Sequence, residues 1–149
     1  MVYAIEPQIN SEAIRGIWDE EVERFTNVKC IKNSKEFGHS FVCFNYALGV
    51  LDINSCECAM DIVEDEYTRI RICHAKVGDL ITYHSDFECK GKKQIDRYSI
   101  NHFALITKTN GKKNGTFVRS KWGLDGLFEG KVDEIPEIYG ELICVWRKK

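Results

Sequence analysis

Hydrophobic positions along the chain follow two periods in succession. From Ser11 to Asn27, Ala13, Ile14, Ile17, Trp18, Val22 and Phe25 recur at the spacing of a helical face. Ser11 is placed to cap that helix, and Glu12 lies in its first turn. The polar run "KNSKEFGHS", Lys32 to Ser40, reads as a loop. In "HSFVCFNYALGV", Cys43, Ala47 and Val50 fall at i, i+4 and i+7, which predicts a second, buried helix with Gly49 near its end. Beyond it the period shortens to about two. "YTRIRIC", Tyr67 to Cys73, alternates as a strand does, and Gly78-Asp79 signals a turn into a β-rich run from Leu80 to Tyr83. "NHFALITKT" predicts another strand, and the turn signals of "NGKKNG", Asn110 to Gly115, return the chain through "TFVRSKW". "ELICVWR" supplies a closing strand. Helices first and an antiparallel meander after them define the α+β class. The acidic run "DIVEDEY", Asp61 to Tyr67, reads as a solvated face.

Composition narrows the picture. The 149 residues suit one domain, 1–149, able to bury a core without disulfides or a structural metal. A formal charge of −2 argues against nucleic acid as a partner, and "CKGKK" around Lys90 to Lys93 reads as a solvated loop. No apolar run reaches the ~20 residues of a membrane span, so no membrane partner is expected. The N-terminal residues lack the basic and apolar regions of a secretory signal. Seven irregularly spaced cysteines do not form a disulfide framework and read as reduced thiols. The expected location is therefore cytoplasmic, or wherever a specialised secretion or lysis route delivers the chain.

Among residues able to do chemistry, Cys43 stands where a polar segment turns into a buried helix. A helix start or a neighbouring imidazolium favours the thiolate, which is the nucleophilic form. His102 opens the strand "HFALI", from which it could face a helix packed on the sheet. Ser120 in "VRSKWG", on the strand across the hairpin, is a polar group of the kind that orients a catalytic base. Cys43 and His102 also have plain structural readings, a small core thiol and a satisfied, partly buried histidine. Trp18, Trp122 and Trp146 read as core or groove-lining residues.

The order of these motifs resembles the papain-like amidase and peptidase superfamily, in its minimal NlpC-type and CHAP-type branches. "CFNYALG", Cys43 to Gly49, looks like the nucleophile helix; "VGDLITY", Val77 to Tyr83, looks like the Gly-Asp strand; "NHFALIT", Asn101 to Thr107, looks like the strand that opens with the catalytic histidine. The orienting amide that precedes a Trp-Gly pair in papain-like enzymes is Ser120 here, with Asp96, Glu129 or a backbone carbonyl as substitutes. The resemblance covers about Ser40 to Gly123 and the closing strand. It implies a nucleophile helix packed on an antiparallel sheet, and a cysteine amide hydrolase (peptidase, amidase or deamidase) acting on a peptide or protein amide. Cys43 would attack the carbonyl, and His102 would hold the thiol proton, pass it to the leaving amine and activate water for the acyl-enzyme. His39 and Ser40 stand where the lineage carries an oxyanion-hole glutamine, and Trp122 would shield the His102 contact. No organic cofactor and no obligatory metal is implied.

Other readings remain open. A papain-like domain that binds without catalysing needs no activated thiol, and its Cys43 would behave like Cys30 or Cys144. Cys56, Cys58, Cys73 and His74 offer soft ligands for a small zinc-stabilised domain, although their spacing is short for zinc.

Overall fold

The computed structural model describes residues 29–32, 42–50, 52–85, 87–89, 92–94, 100–122, 127–135 and 139–149. The helix expected over Ser11–Asn27 lies outside these residues, as do His39, Ser40 and Asp96. The described helices are α1 (Cys43–Leu48) and α2 (Cys56–Glu66). The strands are β1 (Lys29–Lys32), β2 (Tyr67–Ile70), β3 (Leu80–His84), β4 (Phe87–Cys89), β5 (Lys92–Gln94), β6 (Ile100–Lys108), β7 (Phe117–Lys121), β8 (Leu127–Lys131) and β9 (Leu142–Lys148). The fold is α+β, with short helices packed on a seven-stranded antiparallel sheet in the order β1-β8-β7-β6-β3-β9-β2, while β4 and β5 form a separate hairpin. Among the described residues no helix is long and apolar enough to cross a membrane.

A six-residue helix is too short to hold itself together in water, and α1 relies on the buried side chain of Asn45. Its Oδ1 accepts the Val42 N–H at 3.0 Å, which closes the start of the helix. Its Nδ2 donates to the Val50 and Ile53 carbonyls, both at 3.0 Å, which fixes the chain that leaves it. Gly49 ends α1 in the left-handed region, at φ 69°, where its N–H returns to the Asn45 carbonyl. Cys43, Phe44 and Ala47 form the buried side, as the i, i+4 pattern predicts.

The α2 helix answers for a stretch that carries no recognisable motif. Ser55 caps it by accepting the Cys58 N–H at 3.1 Å, and Glu57 stands in the first turn, where the helix dipole favours an acid. Ala59, Met60 and Val63 face the core, so the acidic run is the outer side of this helix. The "YTRIRIC" strand is shorter than its alternation predicts: β2 stops at Ile70, and Ile72–His74 turn as a 3₁₀ helix.

Both faces of the sheet are covered. On one face, Leu80 and Phe103 join Cys43, Phe44, Met60 and Val63 beneath the helices. On the other, Ile81, Tyr83, Ala104 and Ile106 join Val118, Trp122 and Tyr139. Successive residues of a strand project to opposite faces, so a run such as "HFALI" feeds both layers. The Gly-Asp turn is anchored from the last strand, where Arg147 meets Asp79 through Nε at 3.0 Å and Nη2 at 2.7 Å. Asp79 Oδ2 also accepts the Lys76 N–H, so the turn carboxylate is fully engaged in structure.

Replacing Asn45 with alanine strands one donor and two carbonyls in a buried setting, and is expected to lower unfolding free energy by about 3 kcal/mol. Asn45→Asp keeps the acceptor but turns a buried carboxylate on the Val50 and Ile53 carbonyls, so at neutral pH it should be at least as destabilising. Urea denaturation checks this; a loss below about 1 kcal/mol for Asn45→Ala would contradict the role given to Asn45.

Candidate active site

Cys43 is the first residue of α1 and is 6% exposed. The β6–β7 ladder runs from Leu105–Arg119 to Lys108–Phe117, so β6 lies beyond it at Phe103. The Cys43 thiol is seated there, and the backbone N–H groups of Phe103 and Phe44 point at its sulfur. The aromatic ring of Phe103 turns towards α1 and meets Phe44 edge-on, with centroids 6.1 Å apart. Burial pushes the thiol up to about 12, and the nearby Cys56 adds to the rise; the two N–H groups and Lys121 oppose it without overcoming it. The thiol is neutral at physiological pH.

His102 precedes Phe103 and therefore projects to the other face of the sheet. Its ring stacks on Tyr139 at 3.9 Å with planes 7° apart, and lies 5.5 Å from the ring of Tyr83. Both ring nitrogens are buried and have no hydrogen-bond partner among the described residues. Burial holds the imidazole down to about 3, so it too is neutral. Tyr139 reaches this position because Gly140, at φ 94°, lets the chain press on the His84 carbonyl, where any Cβ would collide.

Val118 and Trp122 belong to the His102 layer, and Ser120, between them at spacing two, shares their face and is 1% exposed. Ser120 does not bond the His102 ring. Trp122 stacks on Phe128 at 4.2 Å and fills the core. The structure thus brings His102, Ser120 and Trp122 into one layer and places Cys43 in the other. Glu129, the substitute orienter, is engaged by Arg119 at 3.3 Å. Cys56, Cys58, Cys73 and His74 do not gather, and no cluster able to hold a metal occurs among the described residues.

Two features on the helix side escaped the motif reading. Lys121 is fully buried near Cys43, and Arg119, two residues away, bonds the Tyr46 hydroxyl of α1. The alternation in "VRSKW" assigns Arg119 and Lys121 one face, and that was the available signal. The second is a buried polar set on β3 and β9, in which Thr82 Oγ1 lies 2.9 Å from His84 Nε2 and accepts the Trp146 indole N–H at 2.9 Å. Cys144 also bonds Thr82. His84 is the histidine on the Cys43 side of the sheet, and it is satisfied by Thr82.

Comparison of the chain with protein-family models, with curated proteins and with solved structures gives no match.

The His102 geometry fixes the sign of a pH effect. The folded ring titrates at about 3 and the unfolded one near 6.5, so the unfolded chain binds the extra proton between those values. This contribution is complete above pH ~6.5 and is lost as pH falls towards 3, at up to about 1.4 kcal/mol per pH unit. His102→Phe keeps a ring on Tyr139 and should flatten the slope in urea denaturation between pH ~7 and ~4.5. An imidazolium retained in the folded state would be protonated in both states below pH ~6.5, so the ring itself would contribute no slope over this window.

Proposed function

We propose that this chain is an α+β domain of papain-like order that serves as a binding module for a peptide or protein, without thiol catalysis. The observation that carries this reading is the placement of Cys43 and His102 in opposite layers of one sheet, each buried and uncharged. General-base activation of a thiol requires the two groups within hydrogen-bond reach, directly or through one water. The order of nucleophile-type helix, Gly-Asp strand, histidine strand and "SKWG" strand supports the papain-like assignment. The parts of that order do structural work here: Asn45 holds α1, Asp79 holds Arg147, and Trp122 fills a core. Free thiols, with Cys58 and Cys73 exposed, suit a cytoplasmic location or delivery from it by a specialised route.

One observation favours the second reading, a cysteine amide hydrolase with Cys43 as nucleophile and His102 as base. The sulfur already receives two backbone N–H groups and has Lys121 near it, all of which stabilise a thiolate. Catalysis would then need His102 on the helix side. A one-residue slip at the start of β6 makes that exchange, and the β3–β6 ladder is irregular there, between Tyr83 and His84. The slip also removes Phe103 from Phe44, so it opposes the packing that seats α1.

Mass-mapped iodoacetamide labelling of the native protein between pH ~5.5 and ~8, in wild type and His102→Ala, separates the readings. The binding module predicts Cys43 labelling slower than that of exposed Cys58 and Cys73, and unchanged by His102→Ala. Rapid labelling of Cys43 below pH ~7 that depends on His102 would establish the hydrolase instead.

A further inference from the structure

The sheet ends unevenly at β2. That strand pairs with β9 from Tyr67–Lys148 to Ile70–Val145 and then leaves in the 3₁₀ turn of Ile72–His74. β9 continues past it, through Cys144 and Ile143 to Leu142, paired there, among the described residues, with β3 alone. The side of β9 that β2 leaves has a definite polarity. Lys149 donates its N–H to the Glu66 carbonyl, so the odd-numbered positions of β9 present their backbone groups towards β2. Ile143 is the next such position beyond the end of β2, and its N–H and C=O face the gap.

The gap is a cleft of about 520 Å³ between Ile70–Ile72 and Ile143–Val145, with Lys113 from the β6–β7 connection on its wall. Ile70, Ile72 and Ile143 give it half-buried apolar walls continuous with the core. Arg69, Arg71 and Lys113 surround it as exposed cations, and none has a carboxylate partner among the described residues. Arg147, which also lies near the turn, is taken by Asp79. A strand edge unpaired and positive charge uncompensated among the described residues, together with apolar walls, specify an extended chain with small apolar and acidic residues.

We propose that the cleft at Ile143 is a strand-addition site for an extended acidic peptide segment, which continues the sheet where β2 stops. Backbone bonds to Ile143 supply the pairing, the isoleucine walls take alternate apolar side chains, and Arg69, Arg71 and Lys113 select carboxylates. This deepens the binding-module reading and rests on it.

The test uses the full chain and a fluorescein-labelled peptide of alternating Glu and Val, followed by anisotropy, with amide exchange read at Ile143. The acidic peptide should bind and slow exchange at Ile143. Binding should weaken at least about tenfold when Lys replaces Glu, when alternate peptide nitrogens are methylated, and in the Arg69→Glu/Arg71→Glu variant. N-methylation leaves the protein untouched, so its effect cannot come from misfolding. Equal binding of the methylated peptide would overturn strand addition, equal binding of the Lys peptide would overturn the charge selection, and no binding at about 1 mM would overturn the site. A dimer in sedimentation that excludes the peptide would assign the edge to a second copy and also overturn it. Failure of the peptide with an inert Cys43 removes this site alone, whereas rapid His102-dependent labelling of Cys43 removes the binding-module reading whatever the peptide does.

Discussion

Everything at the candidate site depends on the alternation of β6, a strand buried on both faces. When each face has its own packed layer, neighbouring residues cannot share a destination. Phe103 goes to the helix side, where it meets Phe44, and His102 is thereby committed to the side of Tyr83 and Tyr139. A one-residue change of register would exchange the two, placing an imidazole under α1 and a phenyl ring against Tyr139. The chemical character of the protein therefore follows from which of two adjacent side chains the packing prefers. Large apolar surface favours burying Phe103 against α1, and the neutral histidine is tolerated as a flat ring in an aromatic stack.

The same constraint explains the electrostatics. A thiol at a helix start gains little when the surrounding layer is dry, because desolvation of the thiolate outweighs two backbone N–H groups and a lysine. The opposite layer is equally dry, and there burial acts alone on His102. Two groups that would charge one another if paired instead stay neutral in separate layers. The residues around them hold the frame: Asn45 keeps a short helix closed, and Asp79 with Arg147 ties the turn before β3 to the last strand.

Much of the frame was legible along the chain. The i, i+4 spacing of Cys43 and Ala47, with Gly49 behind, located α1 and its end, and the alternating runs located β3, β6, β7 and β9. The missed helix α2 had its signals, a Ser55 cap and Ala59, Met60 and Val63 on one side, but they were hidden by an acidic run that dominates the composition. The pairing of β8 with β1 and the closing position of β9 between β3 and β2 are long-range pairings that local periodicity does not encode. The candidate site was legible in its residue types and order and not in its geometry. Periodicity states that His102 and Phe103 face opposite ways; it does not state which of them faces α1, and that choice is made by tertiary packing. Lys121 was missed for a related reason, since a lysine in a strand reads as solvent-facing until both faces are known to be covered.

The most direct measurement is the set of nuclear Overhauser contacts made by the His102 ring protons in isotopically labelled protein near neutral pH. Contacts to the ring protons of Tyr139 and Tyr83, with none to the β protons of Cys43, are the result this account predicts. Contacts between the His102 ring and the Cys43 β protons would contradict it, because they require β6 in the other register and restore the thiol and the imidazole to one site.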